Sequence, residues 1–445
     1  MSSKISKKGF VMKIINHSIL MVLAALACNI THTKPPLAYV TCQGNQQLVA
    51  INTKTYAIDA AITLPGANLI YNVAITPDNK FAYVTSGPGD LYVIDTGTNQ
   101  VVDTITMDIG TNPQGVAITP NGKYVVVVNG TSNSVSFVST QTMMGLFAPI
   151  GTPLSNPFIA AVSPDGTTAY ITDGGANAIL PINITPLPGA PSLLTPITVG
   201  TQAYNIDIAI TADSNTAYVS NINDNIVWPV INLKSSPTQG TGIPVGSEPY
   251  GVVLSPDNKT LYVTNSGDNS LSIIDLTQST PAVNTITNGI GNTPYLLAIT
   301  ADGNFLYIPN YGDGTLTVFD TRSNAPIAGP PIDLTAFGNP NCVAIMSQPS
   351  GPLNVAATRV NNKFLLQTDL INRITWSAPL FGNPPALYTI YRDPALTQLI
   401  ATISASGPLQ YDDHDRQPNT AYTYYIVSVD SNGYTSLPSS VTIAG

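Results

Sequence analysis

The sequence predicts an all-β protein: a seven-bladed β-propeller whose last strand closes the first blade, followed by a β-sandwich. Three observations predict it. Good helix formers are scarce, with a single glutamate among 25 acidic residues and only 16 Lys and Arg in 445 positions. Val, Ile, Thr and Tyr take their place, and these suit a pleated, half-buried surface. A strand–turn–strand unit then recurs along most of the chain, and where it stops a different strand pattern begins.

The N-terminus stands apart. Lys4, Lys7, Lys8 and Lys13 precede a short apolar stretch, Ser18 to Ala27, that ends in Ala25-Leu26-Ala27. A basic segment, an apolar core below spanning length and an A-x-A site read as a signal peptide over residues 1–27. Met12 offers a more compact start to the same signal. Cys28 follows the cleavage site directly, and two readings stand: lipidation as in a bacterial lipoprotein, or simple secretion. The expected location is outside the cytoplasm: periplasmic, cell-surface or secreted, with membrane contact only through a lipid on Cys28. Cleavage leaves 12 basic against 25 acidic residues, a net charge of −13. Such a surface repels phosphate backbones, so nucleic acid is not an expected partner.

The repeat occupies residues 34–349. Its clearest copies are VAITPDNKFAYVT (73–85), VAITPNGKYVVVVN (116–129), AVSPDGTTAYIT (161–172), IAITADSNTAYVS (208–220), VVLSPDNKTLYVT (252–264) and LAITADGNFLYIP (297–309). Aligned positions Tyr39, Tyr83, Val126, Tyr170, Tyr218, Tyr262 and Tyr307 are 43 to 48 residues apart. That period, with four short strands per unit, is the period of a propeller blade. Pro-Asp-Gly and Pro-Asp-Asn supply the hairpin, since Pro presets one dihedral and Gly or Asn tolerates positive φ. A third strand follows, as in LYVIDT (91–96) or LSIIDL (271–276), and then a more variable fourth, as in VVDTITM (101–107).

The phase of the repeat predicts closure. The chain enters at LAYVT (37–41), a second strand, and leaves at CVAIM (342–346), a first strand. Pairing them completes one blade and removes two free sheet edges. Cys342 aligns with Gly115 and Cys42 with Asn129, positions nearly opposite in an intact hairpin. A Cys42–Cys342 disulfide is therefore expected, in keeping with export; the alternative is two free buried thiols one residue out of register.

Residues 352–445 carry ITWSAP (374–379), LYTIYRD (387–393) and PNTAYTYYIVSVDSNG (418–433), with period-2 alternation in YTYYIVSVD. This stretch resembles a fibronectin type III domain. The resemblance puts Trp376 on the second strand of the core and Tyr422 at the tyrosine corner. The repeats themselves, through AYVTS, GVAITP and LYVTNSGDNSLSIID, resemble the YVTN β-propeller family of bacterial and archaeal surface or periplasmic proteins. Lactonase-like and streptogramin lyase-like propellers share that architecture. The resemblance implies fold and location more than chemistry.

Chemistry has few candidates. The three histidines are His17, His32 and His414, so a Ser–His–Asp triad within the repeats is not available, and a lyase mechanism that relies on histidine does not carry over. Asp412-Asp413-His414-Asp415 reads as a polar strand end rather than a metal site. The turns 223–225 and 267–269 lack the full oxygen ligand set of a calcium loop. No catalytic residue, cofactor or metal is expected. One constellation remains, in the x-Pro segments before each first strand: Tyr71, Gln114, Phe158, Tyr204, Tyr250, Tyr295 and Asn341, with Glu248 in the same loops. On a propeller these ring the channel mouth. They suit stacking on a sugar or gripping a peptide, or they wedge neighbouring blades apart. The expected function is an exported or envelope-associated binding protein, monomeric, with a protein or glycan ligand at that mouth. The alternatives are a lactonase-like or lyase-like enzyme and a structural surface component.

Overall fold

The computed structural model describes residues 36–106, 108–364, 367–380 and 382–444, with side chains omitted over 361–368. The signal peptide and Cys28 lie outside the described residues. Every element among those described is a β-strand. Contacts divide the chain into two units, Pro36–Ser350 with Pro379–Pro384, and Gly351–Ala378 with Pro385–Gly445.

The first unit holds seven antiparallel sheets, each built from one copy of the repeat. In the sheet of Pro249–Leu254, Thr260–Asn265, Ser270–Asp275 and Ala282–Ile286, the strands follow chain order from the innermost outward. The exception is the sheet of Leu37–Gly44, where Gly338–Ile345 pairs antiparallel as the innermost strand. A strand some 300 residues away thus fills the place left by the chain's entry point.

Four local devices explain the repeated residues. In six hairpins a Ser or Thr hydroxyl donates to the Asp or Asn two positions on, as Ser255 does to Asp257 at 2.7 Å and Thr76 to Asp78 at 2.7 Å. The same hydroxyl accepts the N–H five residues on, Thr260 and Phe81 respectively. The carboxylate accepts another backbone N–H, from Lys259 or Lys80, so the turn satisfies its own polar groups. The positive-φ position in these turns is held by Asn79, Gly122, Gly166, Ser214, Asn258 and Gly303.

The Tyr of the second strand packs into the next sheet. Tyr83 joins Val116, Val125 and Val127, while Tyr307 joins Val40, Val49 and Ile51. The following Thr or Ser connects neighbouring sheets through its hydroxyl. Thr264 accepts the N–H of Gly251 at 2.9 Å and donates to the carbonyl of Tyr295 in the next sheet at 2.7 Å. Thr41, Thr85, Thr172 and Ser220 repeat the arrangement. In four of the five the accepted N–H belongs to a residue bulged out of its inner strand, as between Pro249 and Val252, so the hydroxyl replaces a ladder bond that the bulge removes; the donor to Thr41, Cys342, is its in-register partner. The last residue of the motif pins the third strand: Asn265 donates to Ser270 and Ser272, and Asn129 to Ser134 and Ser136.

The same bulge corrects the expected disulfide. Thr41 pairs with Cys342, and after a register shift Cys42 pairs with Pro340. Adjacent strand residues face opposite sides of a sheet, so the two thiols point apart. Cys42 packs with Leu316, Val318 and Leu334, while the Cys342 sulfur lies 3.4 Å from Asn72 Oδ1. Both are free and buried, and burial pushes each thiol up to about 12.

In the second unit, Leu353–Phe364, Gln367–Ser377 and Gln410–Asp413 form one sheet, and Leu399–Ser404, Pro385–Tyr391, Tyr422–Asp430 and Ser439–Ile443 form another. Ile374 and Trp376 of the first share a core with Tyr388, Ile390, Tyr424 and Ile426 of the second. Trp376 meets Tyr388 edge-on at 5.4 Å. The Tyr422 hydroxyl accepts the N–H of Gln417, tying down the preceding loop. Asp412 and Asp413 are held by Arg373 and Arg392, and His414 by Asp369.

Candidate functional site

The loops before three of the inner strands are tied to the preceding sheet. The N–H groups of Asn156, Glu248 and Thr293 donate to Asn133, Asn225 and Asn269. Those of Thr201, Ser247 and Asn292 donate to Asp224, Asp268 and Asp313 of the sheet each loop leads into. The calcium-like turns are therefore engaged in fixing these loops. A Pro follows in most copies, and the residue after it is delivered to a common mouth.

That mouth holds a cavity of about 160 Å³. Tyr71, Gln114, Phe158, Tyr250, Tyr295 and Asn341, all expected from the sequence, line it together with Gln43, Asn72, Ile159, Leu296 and Tyr311. Tyr204 and Glu248 do not. Tyr204 is 41% exposed with φ near 94°, and Ile206 occupies the inner-strand position equivalent to Tyr250. Glu248 is exposed on its loop.

The cavity has two kinds of wall. On one side Tyr250 stacks on Tyr295 at 4.1 Å, Tyr295 stacks on Tyr311 at 4.8 Å, and Phe158 meets Tyr250 edge-on at 6.4 Å. Burial raises the Tyr71, Tyr250 and Tyr295 phenols, which therefore stay neutral. The other wall carries amides. Asn341 donates to the Tyr71 carbonyl at 2.7 Å, and Gln43 accepts from the Tyr311 hydroxyl at 3.3 Å. Gln114 Oε1 is buried with no hydrogen-bond partner, a cost that a ligand donor would relieve. None of the described residues lining the cavity is charged.

One residue deeper lies a second ring: Asn72, Gly115, Ile159, Asp207, Gly251, Leu296 and Cys342. Asn72, Ile159 and Leu296 form part of the cavity lining. Side chains in this ring lean onto the next inner strand. A Cβ on Gly251 would come within 2.7 Å of the Tyr295 carbonyl, and Asp207 Oδ2 accepts the Val252 N–H at 2.9 Å. Asp207 Oδ1 accepts the Ile208 N–H at 2.8 Å. Asp207 has no cationic partner among the described residues, and burial pushes its carboxyl up to about 7 against the pull of these two bonds.

The sequence reading missed Asn72, Asp207, Gln43 and Tyr311. The first two were within reach, being the residues after the mouth position in the aligned repeats, where Asp207 is the one acid. Gln43 sits at the end of the strand Leu37–Gly44 and Tyr311 just past the strand Phe305–Asn310, where nothing in the repeat marks a direction.

The family model "Lactonase, 7-bladed beta-propeller" matches residues 214–344. No curated protein sequence matches the chain. Among solved structures, a putative 6-phosphogluconolactonase from Bacteroides fragilis is 17% identical, with a TM-score of 0.59 over 71% of this chain and 99% of its own. A periplasmic gluconolactonase from Pseudomonas aeruginosa is 15% identical, with a TM-score of 0.59 over 70% and 99%. Hydrazine synthase from Kuenenia stuttgartiensis is 19% identical, with a TM-score of 0.56 over 64% and 92%. These likenesses show the all-β, seven-bladed propeller fold. The family match corrects the expected binding function. It favours the lactonase-like alternative, and the stretch it covers supplies Tyr250, Tyr295, Tyr311 and Asn341 to the cavity.

Proposed function

We propose that the chain is a lactone hydrolase acting at the channel mouth on a small, uncharged, polyhydroxylated lactone. The observation that carries this reading is the two-walled cavity: three stacked tyrosines face side-chain amides, with no charge between them. Aromatic faces take the C–H surface of a sugar-derived ring, and amides take its hydroxyls. A phosphate would need a cation or an array of backbone N–H groups. The lining has no cation, and the surrounding protein is strongly acidic, so the unphosphorylated lactone is the better fit.

The scaffold reading is finer in the same direction. Pairing of Leu37–Gly44 with Gly338–Ile345 supports a closed ring of seven blades of YVTN type. Two sheets sharing one core, with Trp376 and the Tyr422 loop tie, support a fibronectin type III-like sandwich as the second unit. Residues 1–27 as an export signal would place the enzyme outside the cytoplasm, with Cys28 at the new N-terminus.

The test is pH-stat titration of acid released from gluconolactone and from 6-phosphogluconolactone, each corrected for spontaneous opening. The neutral lactone is expected to open faster, by about tenfold or more in kcat/KM. Release no faster than background with either substrate would reject the reading.

A further inference from the structure

We propose that Asp207 is the general base of the reaction, activating a water at the floor of the cavity for attack on the lactone carbonyl. This deepens the lactonase reading and rests on it. The placement is geometric. Asp207 occupies the second ring, three other members of which, Asn72, Ile159 and Leu296, line the cavity. Its carboxylate is half-buried, fixed by the N–H groups of Val252 and Ile208, and without a cation. Those two bonds use one lone pair on each oxygen, and a carboxylate offers about four acceptor sites. The unused sites are available to a water between the ring and the ligand.

An unpaired acid in a channel wall costs stability. The other members of the ring show that the fold does not require it, since Gly, Asn, Ile, Leu and Cys serve in the same position. Burial tunes this carboxyl to about 7, close to what a base working near neutrality needs.

The step balances without a cofactor. The carboxylate takes a proton from water as the water oxygen bonds to the carbonyl carbon. The ring C–O bond then breaks, and the carboxyl returns the proton to the departing ring oxygen. Lactone plus water gives the hydroxy acid, and Asp207 is ionised again.

Other groups near this strand do not compete at neutral pH as free bases. Tyr250 on Pro249–Leu254, Tyr218 on Thr216–Asn221, Tyr170 on Thr168–Asp173, and Cys342 are all raised by burial. Asp173, also raised by burial, is engaged by the N–H groups of Ser155 and Gly175. It provides the control.

The experiment compares Asp207→Asn and Asp173→Asn with the wild type on gluconolactone across pH. Asp207→Asn is expected to lower kcat by about 100-fold or more and to remove the acid limb of the profile, with KM within about threefold. Asp173→Asn is expected to retain kcat within about threefold and to keep that limb. Hydrolysis that survives Asp207→Asn with an unchanged profile overturns this inference alone. Absence of wild-type hydrolysis overturns both this and the lactonase reading. If Asp207→Asn does not fold, the wild-type profile decides: a kcat limb near the value of about 7 supports the assignment, and a flat kcat across neutrality refutes it.

Discussion

Replacing Thr264 with Val tests whether the repeated hydroxyl ties the blades together. Thr264 is fully buried. Its oxygen serves the Gly251 N–H at 2.9 Å and the Tyr295 carbonyl at 2.7 Å, one within the sheet and one across to the next. Valine keeps the shape and the strand preference but leaves a buried donor and a buried acceptor without partners. Each orphan costs about 1–3 kcal/mol, so the expected loss is about 2–6 kcal/mol for the pair. For a unit of this size that lowers the melting temperature by roughly 3–9 °C. Val128 occupies the same position in its own sheet with no exposure, so valine fits the strand and any loss is due to the hydroxyl. The two tryptophans, Trp228 in the first unit and Trp376 in the second, allow the first unit to be followed by fluorescence in a Trp376→Phe background. Thr264→Ser restores both bonds and should stay within about 1 kcal/mol of the parent. A valine variant within about 0.5 kcal/mol of the parent, or a serine variant as weak as the valine one, would refute the bridging argument.

Four further outcomes are expected. Gly251→Ala places a methyl against the Tyr295 carbonyl and Leu296 Cα, and thermal unfolding should show a loss of about 2 kcal/mol or more; Gly151→Ala meets no atom within 4 Å and should be near neutral. Tyr295→Ala removes the middle of the aromatic stack and should raise KM for gluconolactone about tenfold in steady-state assays, whereas Tyr204→Ala, outside the cavity, should leave it unchanged. Thiol titration of mature protein should find Cys42 and Cys342 unreactive when folded and reactive when unfolded, and reductant should not shift the melting temperature; a loss of ~2–5 kcal/mol on reduction would reinstate a bond. Acid should destabilise the first unit through its hairpins. Asp78, Asp165, Asp213 and Asp257 are all held below their ordinary value: burial raises all four, and is the largest single effect on the first, second and fourth, but Ser or Thr and backbone donors outweigh it. A depressed carboxyl contributes stability above its unfolded value, which is lost as pH falls through the folded one, so melting temperature should drop below about pH 4. A flat profile there would contradict the hairpin network.

The blades were legible because their determinants are local. The Pro-Asp-Gly turn satisfies its own polar groups within a few residues, the Tyr and the hydroxyl after it meet partners in the next copy, and the copies recur with one period. Six residues of the cavity were legible for the same reason: Tyr71, Gln114, Phe158, Tyr250, Tyr295 and Asn341 hold one phase of the repeat. Tyr204 broke that phase by two residues, and the chain placed Ile206 there instead.

What the sequence determined by itself was therefore the repeating unit, its seven-fold count and the residues that begin each inner strand, because strand alternation and turn chemistry act between neighbours in the chain. Only the tertiary structure decided which way the thiols face, since a one-residue bulge after Thr41 sends Cys42 and Cys342 to opposite sides. Only the tertiary structure brought Gln43 and Tyr311 into the cavity and gave Asp207 two backbone N–H groups but no cation among the described residues. Those relations join residues from 43 to 341, and their geometry is fixed by how seven sheets pack around an axis, which no local pattern records.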